Sequence, residues 1–147
     1  MAELTKDAKK QVRAAIHKDD AVEVLRLLRE HKTSIDPVVD GDGNSVLTYA
    51  AWYGSTAVMA MQLGRGANAH HKDWWDRTAL HWGSLKGHVP VVRLMLAAGA
   101  DPHSKDSAGN TALYLAKLYK HQEVVDLLVR ARPVPVGKGG RFCLSEL

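Results

Sequence analysis

The sequence predicts an all-α repeat solenoid, in which helix–turn–helix units stack side by side and are joined by turns of β-hairpin form. Three observations carry that expectation. A skeleton recurs every 33 residues: Asp40, Asp73 and Asp106 share one column, Ser45, Thr78 and Thr111 a second, Leu47, Leu80 and Leu113 a third. A fixed period in this range is the signature of stacked supersecondary units. Within each period apolar residues come at i, i+3 and i+4, the spacing of one helix face. Finally, Pro90 lies three residues after Gly87, in the first turn of a helix, where its missing N–H has no acceptor to lose. In mid-helix it would cost ~3 kcal/mol. The period divides the chain into a repeat domain, residues 1–132, with units near 8–39, 40–72, 73–105 and 106–132. Residues 133–147 form a flexible Pro/Gly-containing tail.

Each unit follows from its residues. The first has drifted: Val24, Leu27 and Leu28 mark a helix face, and the expected glycine before it is Asp19 or Asp20. Its charged surroundings (Lys9, Lys10, Arg13, Lys18) suit an end unit, which has one face without a neighbour. The loop from Lys32 to Val39 is one or two residues longer than its counterparts, and Asp36-Pro37 marks a turn in it. In the second unit Asp40-Gly41-Asp42-Gly43-Asn44 makes the hairpin turn, with positive φ supplied by glycine and acid. Ser45 caps the first helix, Gly54 ends it, and Val58–Leu63 belong to the second helix, which ends near Gly66. The third unit carries Asp76 in the column of Gly43 and Gly109; Asp is among the few non-glycine residues that tolerate φ above zero. The fourth keeps Gly109, Thr111 and Leu113 but has Lys120 where glycine is expected and Tyr114 in the histidine column. Pro133 cannot continue its second helix. The columns Leu47/Leu80/Leu113, Ala50/Gly83/Ala116 and Leu63/Leu96/Val129 are expected to be buried. Truncating Leu80 to alanine should then cost ~2–5 kcal/mol.

Thr78-Ala79-Leu80-His81, Gly87-His88-x-x-Val91-Val92-x-Leu94-x-Leu96 and Gly99-Ala100-Asp101 together resemble the ankyrin repeat, over roughly residues 12–132. The resemblance implies a β-turn followed by two antiparallel helices per repeat. It also implies that Thr78 and His81 hydrogen-bond within and between repeats. A protein partner is then expected on the concave surface and hairpin tips, and the chain is expected to be a protein–protein interaction module, an adaptor or scaffold, working as a monomer.

Composition narrows the alternatives. One cysteine, Cys143, excludes an intramolecular disulfide and suits a reducing compartment, so cytoplasm or nucleus is expected. The N-terminal residues carry acids and no apolar stretch of the secretory kind, and no run of 18 apolar residues exists, so no membrane span is expected. The net charge of +4 is spread among acids without a basic block, which argues against a nucleic-acid partner. Eight histidines include the neighbours His70 and His71 and the column pair His70/His103, but none has zinc-ligand spacing. No metal or cofactor is expected. Gly137-Lys138-Gly139-Gly140 lacks the spacing of a phosphate loop, and Cys143 has no positioned base, so the chain reads as a non-enzyme.

What the period does not explain is where function is expected. Trp52, Leu85 and Leu118 share a column, with Tyr53, Lys86 and Tyr119 beside it; Trp74, Trp75 and Arg77 stand at a hairpin tip. Trp, Tyr and Arg dominate interface energetics. These nine residues are the expected protein-binding set; the competing expectation is that Trp74 and Trp75 pack on neighbouring tips, or that Trp52 and Tyr53 cap the inner helices. Trp82 falls on a more inward column and is expected in the core. Length and repeat number also resemble the ankyrin inhibitors of cyclin-dependent kinases, so occlusion of an enzyme such as a protein kinase is the alternative. Ser145-Glu146-Leu147 resembles a PDZ-domain ligand and, weakly, a peroxisomal tripeptide.

Overall fold

A computed structural model describes residues 2–131, 133–134 and 141–142. Among the described residues eight helices pair in sequence: α1 (Lys6–His17) with α2 (Ala21–Glu30), α3 (Val46–Tyr53) with α4 (Thr56–Gly64), α5 (Ala79–Lys86) with α6 (Val89–Ala97), and α7 (Ala112–Leu118) with α8 (Gln122–Arg130). First helices pack on first helices in the order α1, α3, α5, α7, and second helices do the same. One continuous core results, running from Leu4 to Ala131. Two short strands, β1 (Pro133–Val134) and β2 (Arg141–Phe142), pair antiparallel. The expectations for residues 135–140 and for the C-terminal residues 143–147 lie outside the described residues.

The column residues act in a repeated way. Each first helix starts on a hydroxyl cap: Thr5, Ser45, Thr78 and Thr111 accept from the N–H three residues on. In each turn an aspartate folds the chain around one oxygen. Asp40 Oδ1 accepts from the N–H groups of Asp42 and Asn44, Asp73 Oδ1 from Trp75 and Arg77, Asp106 Oδ1 from Ala108 and Asn110, all at 2.8–3.0 Å. Successive turns are laced by backbone bonds, Trp74 N–H to Asp42 O (3.0 Å) and Ser107 N–H to Trp75 O (2.8 Å). Regular strand pairing in the tips is limited to one antiparallel bridge, Val38 with Ser45. His81 behaves as the resemblance implied. Its Nδ1 accepts from the Thr78 N–H (3.2 Å), and its Nε2 reaches the Asn110 carbonyl of the next repeat (3.1 Å).

A second set of staples crosses between repeats at the start of the second helices. Ser55 Oγ donates to the Ile16 carbonyl (2.6 Å), His88 Nε2 meets the Trp52 carbonyl (3.0 Å), and His121 Nε2 meets the Leu85 carbonyl (2.9 Å). These carbonyls end the preceding repeat's first helix, where orphan acceptors need partners. The staples explain the glycine column and its exceptions. Asp19, Gly54, Gly87 and Lys120 all have positive φ, of 52°, 71°, 74° and 60°. A side chain at Gly54 would meet the His88 ring at 2.9 Å, and one at Gly87 would run into His121. For Asp19 the residue at the histidine's position in the next repeat is the small Ser55, and among the described residues no later repeat follows Lys120. Those two positions can bear a side chain. Asp19 uses its own, accepting from the Ala57 and Val58 N–H groups of α4.

Two burial expectations need correction. Leu47, Leu80, Ala50, Gly83 and Ala116 are buried, but Leu113 is only half-buried. In the column Leu63/Leu96/Val129 only Leu96 is fully buried, Leu63 is half-buried and Val129 is 60% exposed. Leu113 and Val129 belong to the last described repeat, which the described residues cover from one side. On the second helices the position one residue earlier, Gln62/Met95/Leu128, points inward throughout. Gln62 is polar there because its amide donates to the Ile35 carbonyl (2.8 Å) and Asp36 Oδ1 (3.1 Å), tying down the long loop of the first repeat.

Candidate functional site

A cavity of about 410 Å3 opens between the turn tips and the first helices of the second and third repeats. Asp40, Asp42 and Asn44 come from one tip, Trp75 and Arg77 from the next, Asp106, Ser107 and Ala108 from the third, Tyr49, Trp52 and Tyr53 from α3, and Trp82 from α5. Their positions follow from local structure. Tyr49 and Tyr53 are one helical turn apart and so share a face of α3. The lacing of the tips holds Trp75 and Arg77 over the inner helices.

The floor belongs to a connected run of rings that starts outside the cavity at His17. His17 lies 4.1 Å from Tyr53 between ring centroids, Tyr53 lies 5.0 Å from Tyr49 and 6.5 Å from Trp52, and Trp52 lies 4.4 Å from Trp82. These are tilted pairs, the arrangement that aromatic quadrupoles prefer over face-to-face stacking. Burial, with the neighbouring Tyr53 hydroxyl, raises the Tyr49 phenol above its ordinary pKa, so it stays neutral, at 3.1 Å from His17 Nε2. Trp82 is buried as expected and still forms part of the cavity floor, its Nε1–H donating to Asp73 Oδ2 at 2.9 Å. Arg77 lies across it, with Cζ 4.8 Å from the ring centroid and Nε 3.2 Å from Asp106 Oδ2. Burial alone would raise the Asp106 carboxyl; the Asn110 and Ala108 N–H groups and Arg77 outweigh it and hold it below the usual carboxylate range.

Of the nine residues singled out in the sequence, Trp52, Tyr53, Trp75 and Arg77 meet in the cavity. Trp74, 75% exposed, lies against Gly43 of the preceding tip instead: a side chain at Gly43 would come within 2.5 Å of the indole. Lys86 stands at the edge, its Nζ 4.5 Å from the Trp52 ring centroid. Leu85 is half-buried, while Leu118 and Tyr119 are exposed at the end of α7 and do not line the cavity. Tyr49, Asp40, Asp42 and Asp106 were not anticipated as site residues. For Tyr49 a signal existed: 33 residues separate it from Trp82, so both lie on the column just inside Trp52. Asp40 and Asp106 gave none, because their recurrence with Asp73 reads as turn chemistry, which it also is; Asp42 stands in the tip column of Trp75 and Ala108.

Among the described residues no three His, Cys, Asp or Glu side chains are grouped to hold a metal ion, and no helix is long and apolar enough to cross a membrane. A family model described as ankyrin repeats (3 copies) matches residues 54–136, and one described as ankyrin repeats (many copies) matches residues 12–61. No curated protein matches the chain.

Proposed function

Because the chain belongs to the ankyrin repeat family, whose members are in general non-enzymatic protein–protein interaction modules, we propose that it is an adaptor that binds a protein partner along its turn tips and first helices. The observation that carries this reading is the cavity in which Trp52, Tyr53, Trp75 and Arg77 converge. Tyr53 and Trp75 each remain 45% exposed beside it. Large apolar rings held at a concave surface are what a partner's side chains desolvate most profitably. Leu85, Lys86, Leu118 and Tyr119 would extend the contact toward the fourth repeat, and Trp74 would mark its outer edge. A monomer in cytoplasm or nucleus is the proposed working form. The enzyme-inhibitor alternative rests on length and repeat number, and no feature of the cavity adds to it.

A photo-crosslinking residue placed at Tyr53 tests the reading, with the same residue at Arg93, exposed on α6, as control. In native lysate the Tyr53 position should capture a discrete protein that the Arg93 position does not. Capture from Arg93 alone would move the interface to the opposite face and overturn the proposal.

A further inference from the structure

The cavity has a charge as well as a shape. Its lining holds three carboxylates, Asp40, Asp42 and Asp106, against one guanidinium, Arg77, a local excess of two negative charges in a chain whose net charge is +4. Arg77 is spoken for by Asp106. Asp40 spends its oxygens on its own turn, but the turn disperses rather than cancels its charge. Asp42 is exposed, and its carboxylate makes no hydrogen bond among the described residues. Cations are drawn to aromatic faces within ~6 Å of the centroid, more strongly where the site is desolvated. This chain already uses that attraction twice, placing Arg77 on Trp82 and Lys86 on Trp52. Tyr53 and Trp75 have no such cation among the described residues, and Asp42 stands at the same opening.

From this we infer that the cavity takes a cationic side chain, the ammonium of lysine or the guanidinium of arginine, presented by a basic segment of the partner. The inference rests on the adaptor reading and names what that partner must carry. Lys86 has a specific part in it. Its ammonium sits where an incoming cation is attracted, on the Trp52 ring, yet it is exposed and makes no ion pair among the described residues. It is therefore a competitor that the ligand displaces, and removing its charge should strengthen binding. An acidic partner segment would require the opposite, with Lys86 as its anchor.

Short blocked peptides, otherwise neutral, with lysine, arginine, norleucine or glutamate at the centre, test this on the full chain by tryptophan fluorescence at low salt. The lysine and arginine peptides should saturate the signal, and their ranking identifies the anchor; the norleucine peptide should not. Asp42→Asn should weaken the cationic peptides about two- to fivefold, the size of an exposed ion pair, and Lys86→Gln should tighten them by a similar factor. Both residues are exposed, and circular dichroism checks that the fold is kept. Equal binding of norleucine, or glutamate binding that is lost in Lys86→Gln, overturns the inference. So does the absence of any lysine or arginine signal, and in that case a partner still captured at Tyr53 leaves the adaptor reading standing.

Discussion

Replacing Asp73 by asparagine changes one atom and should unsettle both the turn and the cavity floor. Asp73 is buried, with Oδ1 accepting from the Trp75 and Arg77 N–H groups and Oδ2 from Trp82 Nε1–H at 2.9 Å. Asparagine keeps an oxygen for the two backbone donors but turns an N–H toward the indole N–H. One bond to a charged group is lost, worth ~1.5–3 kcal/mol, and two buried donors are left facing each other. The expected destabilisation is about 2–4 kcal/mol, large against the total stability of a small domain. Chemical denaturation of the wild type, Asp73→Asn, Trp82→Phe and the double variant closes a thermodynamic cycle. Phenylalanine removes the opposing donor, so the Asp73→Asn cost should fall in that background by about 1–3 kcal/mol. Additivity within ~0.5 kcal/mol would mean that the Asp73–Trp82 bond does not hold the cavity floor, and the account of the site's rigidity would fail.

The glycine column gives a paired prediction, read by the same denaturation. Lys120→Gly relieves a left-handed residue with no ring against it and should gain about 1 kcal/mol, whereas Gly87→Ala adds both backbone strain and a clash with His121 and should lose about 2 kcal/mol or more. Asp36 is half-buried, and desolvation pushes its carboxyl up against the opposing bonds from the Leu47 N–H and Gln62, while its Oδ2 has no partner among the described residues. Its folded pKa lies above its unfolded one, so its contribution is fully present below the unfolded value, ~3.9, and is lost as pH rises through the folded value. Denaturation midpoints followed across that window should decline more in wild type than in Asp36→Asn. His81 has the opposite sense: burial lowers its pKa, so the protein should lose stability as pH falls below the unfolded value, ~6.5, toward the folded one. A His81→Gln variant should flatten that acid limb.

The repeat was legible because it is local chemistry written several times. An aspartate that folds a turn around one oxygen, a hydroxyl that caps a helix and a glycine that ends one each act within a few residues, and the period placed them correctly. Pro90 in the first turn of α6 and Asp76 at φ 58° came out as the frame required. What failed depended on neighbours. Val129 sits in the last described repeat, with no following unit among the described residues to cover it, and Gln62 is inward because a longer loop supplies its partners. The site was half legible for the same reason. Tryptophan and tyrosine outside the repeat pattern marked the surface, but whether a tip tryptophan faces the inner helices or the adjacent turn is decided between repeats. Trp75 does the first and Trp74 the second, though they are adjacent in sequence. Trp82 was assigned to one role and has two, because a core residue can also be the floor of a cavity.

The proposed recognition takes place in the cavity between the tips and the first helices. Its most direct test uses the four tryptophans, Trp52, Trp74, Trp75 and Trp82, replaced by 5-fluorotryptophan and assigned by single Trp→Phe variants. Fluorine NMR then follows each one during titration with the lysine peptide. The Trp52, Trp75 and Trp82 resonances should move together on one binding curve while Trp74 stays in place. Movement of Trp74 alone, or no movement of the other three at saturation, would contradict it.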